Sequence, residues 1–313
     1  MAENRIKISV KKEAVFTGHK DCVYALSPDL NRKKFYSSGS DGLIVGWDTD
    51  NSEVGKVLAR VESTTYAICS IPESELIVIG QNFEGVHLIN LSQQRIVKSA
   101  KISEAAIFDI KYFDGKLFIA TGDGTLVVMD LAGFTTLARV KQSTTYARCI
   151  AINPQLKEIA VGYSDNFIRV FNTENYQLVA EWESHKNSVF TLCYSPDYTY
   201  LLSGSRDAHL KIWEAHEQHK LFTAIVAHMY TINHIAFNAS GDFFATCSKD
   251  KSIKVWEYKT FRLVKVIDKA RHAGHGTSVN RLFWDGDTQL FSCSDDRTIS
   301  KWELEFEFPT IKN

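Results

Sequence analysis

The sequence predicts an all-β fold, a seven-bladed β-propeller of four-stranded antiparallel blades, and three observations support this prediction. First, one sequence pattern recurs seven times along the 313 residues, at spacings of 40 to 46 residues. Second, each copy contains short runs rich in Val, Ile, Tyr, Phe and Thr that alternate in polarity, as half-buried strands do. Third, turn sequences such as SDG, GDG and SPD separate these runs, and no adequate stretch of helical period competes with them.

The repeat is clearest at its closing strand. Its aligned endings read GSDGLIVGWD (39–48), NFEGVHLIN (82–90), TGDGTLVVMD (121–130), YSDNFIRVFN (163–172), GSRDAHLKIWE (204–214), CSKDKSIKVWE (247–257) and CSDDRTISKWE (293–303). One such four-stranded sheet cannot bury both of its apolar faces alone, whereas seven sheets packed face to face around an axis can. The pattern therefore predicts one closed ring, with a single domain over residues 1–313.

Four copies resemble the repeats of the WD-repeat family, and the resemblance covers nearly the whole chain. A repeat of that family has Gly-His, an apolar residue four after the His, and then Ser or Thr and Asp before a closing Trp-Asp. The segments that keep the His and the apolar residue here are GHKDCV (18–23), SHKNSV (184–189), AHMYTI (227–232) and GHGTSV (274–279). The resemblance implies a propeller that serves as a scaffold for protein interactions.

The resemblance also implies a hydrogen-bonded set of four side chains in each of these blades. The sets are His19, Ser38, Asp41 and Trp47; His185, Ser203, Asp207 and Trp213; His228, Thr246, Asp250 and Trp256; and His275, Ser292, Asp296 and Trp302. His beside Asp and Ser also suits a catalytic triad, but a triad is not built four times at a fixed period. We therefore expect these sets to satisfy buried polar groups and to tie a turn to the first strand of its blade.

Two other copies share the five residues STTYA. In the later copy, alignment with the fifth blade places Ser143 where His185 stands and Ala147 where Val189 stands. The counterparts in the second blade, in the same register, are Ser63 and Ala67. We expect STTYA to begin a blade that lacks the histidine, with hydroxyl groups bonding locally instead.

The mouth of the central channel is the candidate binding site. The resemblance implies that the first strand of each blade is innermost and starts at the face that carries the blade-to-blade loops, here called the top face. The apolar residue four positions after the His, or its counterpart in a blade without the His, is here called the apolar marker. Because side chains alternate along a strand, the residues just before and after this marker point to the channel mouth. These pairs are Cys22 and Tyr24, Tyr66 and Ile68, Ala106 and Phe108, Tyr146 and Arg148, Ser188 and Phe190, Thr231 and Asn233, and Ser278 and Asn280.

Blades one to five each bring an aromatic residue to this mouth, and the residue before each turn aspartate adds cations. The candidate partner-binding residues are Tyr24, Tyr66, Phe108, Tyr146, Arg148, Phe190, Arg206 and Lys249. Rigid rings offer apolar area at low entropic cost, and cations orient an acidic or C-terminal group. The sequence therefore predicts a protein or peptide partner at the top face, although the same rings could instead plug the channel or pack under a loop.

Composition argues against several other classes of function. With 36 Lys and Arg against 37 Asp and Glu, no overall field favours nucleic acid or an anionic membrane. No window approaches the roughly 20 apolar residues of a membrane span. The six cysteines include no C-x-x-C pair, so we expect neither a disulfide framework nor a zinc site, and we expect a cytoplasmic protein.

Neither a cofactor nor a metal ion is expected. The pairs His216/His219 and His272/His275 have ligand-like spacing, but they fall on opposite faces and cannot share an ion. We interpret the first pair as a solvated turn.

Two functional alternatives remain open at this stage. The protein could be a structural subunit of a larger assembly that docks through blade edges or its bottom face. It could also be an enzyme with chemistry in the channel, for which the titratable candidates on the inner strands are Asp109 and His234. The sequence does not decide the partner or the oligomeric state.

The ends of the chain offer two ways to complete the seventh blade. The run EAVFTGH (13–19) parallels VAEWESH (179–185), which predicts that the N-terminal strand is the outer strand of that blade. The C-terminal run ELEFEFPTI (303–311) alternates Glu with Leu or Phe and could compete for the same place. We favour the N-terminal strand, because pairing both ends of the chain removes the open edges of the ring.

Overall fold

The computed structural model describes residues 6–29 and 33–308, which form seven four-stranded antiparallel blades. The first blade contains β2 (Val23–Asp29), β3 (Lys34–Gly39), β4 (Leu43–Asp48) and β5 (Asn51–Arg60). The second contains β6 (Thr65–Ser70), β7 (Leu76–Gln81), β8 (Gly85–Asn90) and β9 (Arg95–Ala100), and the third β10 (Ile107–Phe113), β11 (Lys116–Thr121), β12 (Thr125–Asp130) and β13 (Thr135–Lys141).

The remaining blades follow the same order. The fourth contains β14 (Ala147–Asn153), β15 (Glu158–Tyr163), β16 (Phe167–Asn172) and β17 (Leu178–Glu183), and the fifth β18 (Val189–Tyr194), β19 (Tyr200–Ser205), β20 (His209–Glu214) and β21 (Lys220–Val226). The sixth contains β22 (Ile232–Phe237), β23 (Phe243–Ser248), β24 (Ile253–Glu257) and β25 (Arg262–Ile267), and the short helix α1 (Lys269–His272) leads into the seventh. The seventh contains β26 (Val279–Asp285), β27 (Gln289–Ser294), β28 (Ile299–Glu307) and β1 (Lys7–Phe16).

The ring closes as the sequence predicts. Strand β1 pairs antiparallel with β28, from Lys7 opposite Glu307 to Phe16 opposite Ile299. Phe16 is 1% exposed and packs on Phe35 of the first blade, with the two ring centroids 5.1 Å apart. The competing C-terminal run extends β28 through Glu307 and does not form an outer strand, and its residues 309–311 lie outside the described part of the chain. The first and last strands therefore lock the ring through both backbone bonds and packing.

The predicted hydrogen-bonded chain is present in blades one, five, six and seven, with one correction. In the fifth blade His185 Nδ1 lies 3.1 Å from Asp207 and His185 Nε2 lies 2.7 Å from Ser203 Oγ, to which Trp213 Nε1 donates at 2.9 Å. The first blade uses Ser37, at 2.8 Å from His19 Nε2, and the prediction of Ser38 is wrong. The hydroxyl in this chain stands four residues before the turn aspartate, and only Ser37 meets that spacing to Asp41.

In the fifth blade the bonding pattern accommodates a neutral histidine. Trp213 Nε1–H donates to Ser203, so the Ser203 hydroxyl is free to donate to His185 Nε2, and His185 Nδ1–H donates to Asp207. A protonated ring would instead present a second donor to the same hydroxyl oxygen. Burial lowers the pKa of His185 below its ordinary value and outweighs the attraction of Asp207. Although burial alone would raise the pKa of Asp207, its bond to His185 brings it well below the usual range.

Blades two to four lock the corresponding turns differently. In the fourth blade Ser143 Oγ donates to Asp165 at 2.7 Å, and Arg169 Nη1 donates to the same carboxylate at 2.9 Å. In the second blade His87 bonds Gln81 at 2.9 Å and Ser99 at 2.7 Å. The fold therefore keeps the turn and changes the residues that hold it.

A pair of adjacent serines tests the corrected chain. Ser37→Ala leaves the buried Trp47 Nε1 and His19 Nε2 without their shared partner, and we expect it to lower the free energy of unfolding by about 2 to 4 kcal/mol. Ser38→Ala is the matched control, because Ser38 is equally buried but makes only a 3.4 Å bond to the Thr65 carbonyl, and about 1 kcal/mol is expected. Denaturant unfolding measures both, and a larger loss in Ser38→Ala would contradict the correction.

The histidines also give the fold a pH dependence. Burial lowers the pKa of His19, His185 and His228 from 6.5, so the unfolded chain binds more protons than the folded one below that value. Stability is therefore lost as the pH falls below about 6.5, and a second loss follows below about 3.8 as Asp207 and Asp250 bind protons in the unfolded chain.

We expect the melting temperature to fall steadily from pH 7.5 to pH 5 at constant ionic strength, as measured by calorimetry. His185→Gln removes one titrating group, so its melting temperature should depend less steeply on pH than that of the wild type. A melting temperature that rises on acidification would contradict the neutral assignment.

Candidate functional site: the channel mouth

The channel mouth is built by one β-bulge repeated in every inner strand. The pairing of each first strand with its second strand skips one residue, between Val23 and Ala25 in the first blade and at the equivalent place in the other six. The skipped residues are Tyr24, Tyr66, Phe108, Arg148, Phe190, Asn233 and Asn280. A bulge leaves its extra residue unpaired and redirects its side chain. All seven, with Tyr146 and Arg281, line one depression of about 430 Å³, here called the mouth.

The two STTYA segments do not share a register, which corrects the sequence alignment. Ala147 pairs with Tyr163 at the start of its blade, but the matching pair in the second blade is Thr65 with Gln81. Thr65 therefore occupies the position of the apolar marker, where the sequence alignment places Ala67. Tyr66 is the bulge residue and is equivalent to Arg148 rather than to Tyr146.

Ile68, which the sequence placed at the mouth, is instead 5% exposed in the core between the first two blades. The shift is two residues, so the alternation of side chains still directs Tyr66 to the channel. The strand pairing, rather than the shared word, sets the register in a blade that lacks the histidine.

The aromatic residues form a continuous wall around five blades. Successive ring centroids lie 4.9 Å apart from Tyr24 to Tyr66, 5.6 Å from Tyr66 to Phe108 and 5.5 Å from Phe108 to Tyr146. The Arg148 guanidinium carbon lies 5.0 Å from the Phe108 centroid and 4.3 Å from the Phe190 centroid, and so bridges the wall between them. The structure thus brings six of the eight candidate residues together.

The guanidinium group of Arg148 is held in place but incompletely paired. Its Nε donates to Ser164 Oγ at 2.6 Å, and no acceptor among the described residues binds its Nη atoms. Burial lowers the pKa of Arg148, and the charge of Arg206 adds to this, yet a guanidinium stays protonated in proteins. Burial also raises the pKa of Tyr66, whose hydroxyl remains neutral. The mouth therefore presents one fixed positive charge within an aromatic wall.

The sixth and seventh blades supply the polar side of the mouth. Asn233 Nδ2 donates to the Val279 carbonyl at 2.7 Å, and Asn280 Nδ2 donates to the Val23 carbonyl at 2.8 Å. Each amide thus binds the inner strand of the next blade. Asn280 Nδ2 also donates a hydrogen bond to Asp295 Oδ1 at 2.8 Å. The sequence places Asn233 and Asn280 at the mouth, but it gives no sign that they tie the blades together.

Arg206 and Lys249 lie outside the depression. Both side chains are exposed, in the turns between the second and third strands of the fifth and sixth blades. No ion pair involving either side chain is found in the described part of the molecule. They form a positively charged rim beside the mouth rather than part of its lining.

An ion pair crosses the channel below the mouth. Arg281 Nη2 of the seventh blade lies 3.1 Å from Asp109 Oδ1 of the third blade, and Lys111 Nζ lies 3.7 Å from the same oxygen. The Ile150 amide donates to the other carboxylate oxygen at 3.0 Å. Arg281 lines both the mouth and a second cavity of about 350 Å³ towards the bottom face, so the ion pair separates the two. Sequence reasoning missed Arg281, although it occupies the same repeat position as Asp109.

The titratable candidates for channel chemistry do not converge. Asp109 is engaged by Arg281, Lys111 and a backbone amide, as described above. His234 accepts a bond from the Leu282 amide at Nδ1, at 3.3 Å, and burial lowers its pKa well below the ordinary value. Within residues 6–29 and 33–308, no group of three or more His, Cys, Asp or Glu side chains could hold a metal ion.

One turn differs from its sequence interpretation. His216 is exposed as expected, but His219 is only 5% exposed and stacks on Trp182 of the fourth blade, with centroids 4.9 Å apart. His219 Nε2 lies 3.2 Å from Glu158 Oε2. The prediction of a solvated turn is therefore wrong for His219, because the turn packs against the neighbouring blade, a contact that local spacing does not reveal.

Comparisons with known proteins agree with this architecture. The family model described as "WD domain, G-beta repeat" matches residues 10–48, 176–214, 219–257 and 267–303. Each match ends in the closing strand of a blade that carries the histidine chain. None of the helices in the described residues is long and apolar enough to cross a membrane.

Several curated proteins are similar over most of this chain. An uncharacterized WD repeat-containing protein of Schizosaccharomyces pombe is 23% identical over 92% of the chain and 48% of its own length. Transducin beta-like protein 3 of Rattus norvegicus is 22% identical over 95% of the chain and 34% of its own length. Actin-interacting protein 1-2 of Arabidopsis thaliana is 23% identical over 92% of the chain and 47% of its own length. The chain thus spans about half the length, or less, of these relatives.

The cross-channel ion pair yields a stability prediction. Asp109→Asn leaves Arg281 without its counter-charge inside the channel, and we expect a loss of about 3 kcal/mol in the free energy of unfolding. The double variant Asp109→Asn/Arg281→Gln should lose clearly less than the sum of the two single variants, because the pair is coupled. Denaturant unfolding of the wild type, the two single variants and the double variant gives the coupling energy. Strictly additive losses would show that the Asp109–Arg281 pair does not stabilise the fold.

Proposed function

Because the chain belongs to the WD-repeat β-propeller family, we propose that it is a non-enzymatic scaffold that binds a protein or peptide partner at the channel mouth. Relatives of this family generally act as protein-interaction scaffolds. The site and the kind of partner are our proposal. It rests on one observation, the aromatic wall that gathers around a single incompletely paired guanidinium.

The geometry of the wall favours binding over plugging. The mouth keeps a volume of about 430 Å³ that its own rings leave open. Tyr146 is 48% exposed even though it contacts Phe108 and Arg148, so part of its apolar surface still faces solvent. Rings that served only as a plug would bury each other. Exposed apolar surface beside fixed charge is typical of a contact site.

Docking through the blade edges is the second candidate. Exposed apolar residues on the outer strands favour it, since Val179 is 57% exposed, Phe222 is 50% exposed and Leu263 is 44% exposed. Every outer strand also carries a β-bulge in its pairing with the third strand, for example opposite Trp213 in the fifth blade. Bulges blunt an edge against backbone pairing with another strand. Edge docking would therefore use side chains, whereas the mouth offers rings and charge together.

A cytoplasmic location belongs to the same proposal. All six cysteines carry free thiols, as expected in a reducing compartment. Burial raises the pKa of Cys69 and Cys193 to about 11, so these thiols are unreactive at neutral pH.

The decisive experiment compares partner capture by matched variants. Tyr146→Ala/Arg148→Ala removes the exposed ring and the guanidinium, and Phe222→Ala removes an equally exposed ring from an outer strand. Affinity capture from the native lysate, read by mass spectrometry, should lose a partner with the mouth variant and keep it with Phe222→Ala.

Melting temperatures and circular dichroism establish that both variants are folded. If Phe222→Ala loses the partner and the mouth variant keeps it, the blade edge is the docking surface and the mouth is not.

A further inference from the structure

Resting on the proposed function, we infer that the partner segment bound at the mouth is acidic and that Arg148 binds one of its carboxylates. Three features of the described residues carry this inference. They are the bonding of Arg148, the charges that surround it, and the spacing of the neighbouring cations.

The first feature is the fixed orientation of the guanidinium. The faces of Phe108 and Phe190 flank it, and the bond from Nε to Ser164 fixes its plane. Its two Nη atoms, which no described acceptor binds, are the donors that a carboxylate accepts in parallel. A planar, pre-oriented guanidinium forms such paired bonds at small entropic cost. The site is thus arranged for a planar anion.

The second feature is the charge balance, which argues against other ligands. A basic side chain would compete with Arg148, which already occupies the space between the rings, and would be repelled by it. A purely apolar segment would cover the Nη atoms without replacing their bonds to water, and an unsatisfied charged donor is costly. Both carboxylates near the mouth are engaged, Asp109 by Arg281 and Asp295 by Asn280. The positive charge of Arg148 is therefore not neutralised within the site.

The third feature is the position of the neighbouring cations. Arg148, Arg206 and Lys249 belong to the fourth, fifth and sixth blades, so the positive charges follow the rim in one direction. A free C-terminus supplies one carboxylate, whereas an internal acidic segment supplies several along this path. On the other side, Tyr24 and Tyr66 offer ring surface to an apolar residue of the same segment. The occupant is therefore an acidic segment that also carries an aromatic or large apolar residue.

A random-peptide display library selected on the wild-type protein tests the inference. We expect the recovered peptides to be enriched in Asp and Glu near an aromatic or large apolar residue. A recovered peptide, synthesised with a fluorescent label, is then titrated by fluorescence anisotropy. Arg148→Gln should weaken its binding about tenfold to a hundredfold, since it removes a charge-assisted hydrogen-bonded pair.

Further variants separate charge from geometry and from misfolding. Arg148→Lys keeps the charge but not the planar group, and we expect intermediate affinity. Arg206→Gln/Lys249→Gln changes only exposed side chains and should weaken binding several-fold, as exposed ion pairs do. The matched control is Arg95→Gln, an exposed arginine at the bottom face, which should leave the affinity unchanged.

The outcomes distinguish failure of this inference from failure of the proposed function. The recovered peptides could lack acidic enrichment and still bind Tyr66→Ala and Tyr146→Ala more weakly than the wild type. That result would overturn the acidic partner and leave the mouth as the binding site. Peptides that bind all mouth variants equally, or a library that yields no specific peptide, would overturn both. Tighter binding of a single-stranded oligonucleotide than of any acidic peptide, lost in Arg148→Gln, would replace the peptide with nucleic acid.

Discussion

The site depends on one backbone irregularity, the β-bulge in the inner strand of every blade. A regular strand would direct alternate residues to the channel and pair all of them with the second strand. The bulge releases one residue per blade from pairing and directs it across the top of the channel. Seven repeats of this irregularity produce a ring whose positions are fixed by the backbone and whose chemistry is set by seven side chains. Tyr66 and Arg148 hold equivalent positions for this reason, although Tyr66 is the fourth residue of its STTYA segment and Arg148 directly follows the other one.

The blades that lack the histidine chain contribute the centre of the aromatic wall, whereas Tyr24 and Phe190 come from blades that carry it. Blades one, five, six and seven carry the Asp-His-Ser/Thr-Trp chain, which secures a turn with buried side chains. Blades two to four lack it, and they provide Tyr66, Phe108, Tyr146 and Arg148, the centre of the aromatic wall. In the fourth blade, Ser143 takes the histidine's place beside Asp165, and Tyr146, which directly precedes β14, packs on Arg148. Variation in how the turn is held thus accompanies variation in what the blade presents at the mouth.

The sequence predicts the features that depend on period and leaves out those that depend on contact between distant residues. A repeat near forty residues with strand alternation is sufficient for the blades and the closing strand, and the family resemblance adds most mouth positions. The Ser38 error arose because adjacent serines both look suitable until the spacing from Asp41 is applied. The register of Tyr66 depends on the pairing of Thr65 with Gln81, which no shared word encodes. Arg281 bonds to Asp109, which lies 172 residues away in the sequence, and His219 stacks on Trp182 of another blade. The local sequence pattern could reveal neither contact.

The ion pair below the mouth explains why a single arginine dominates the site's electrostatics. Without Asp109, the guanidinium groups of both Arg148 and Arg281 would line the same depression without a counter-charge. With Asp109 engaged, that carboxylate offsets the charge of Arg281 and is also approached by Lys111, and Arg281 lines both the mouth and the bottom cavity. The remaining charge is that of Arg148, which ring faces hold at a fixed place and plane. For the acidic segment that we infer as the partner, recognition would then depend on where a carboxylate lies relative to an apolar residue, and not only on how much negative charge the segment carries.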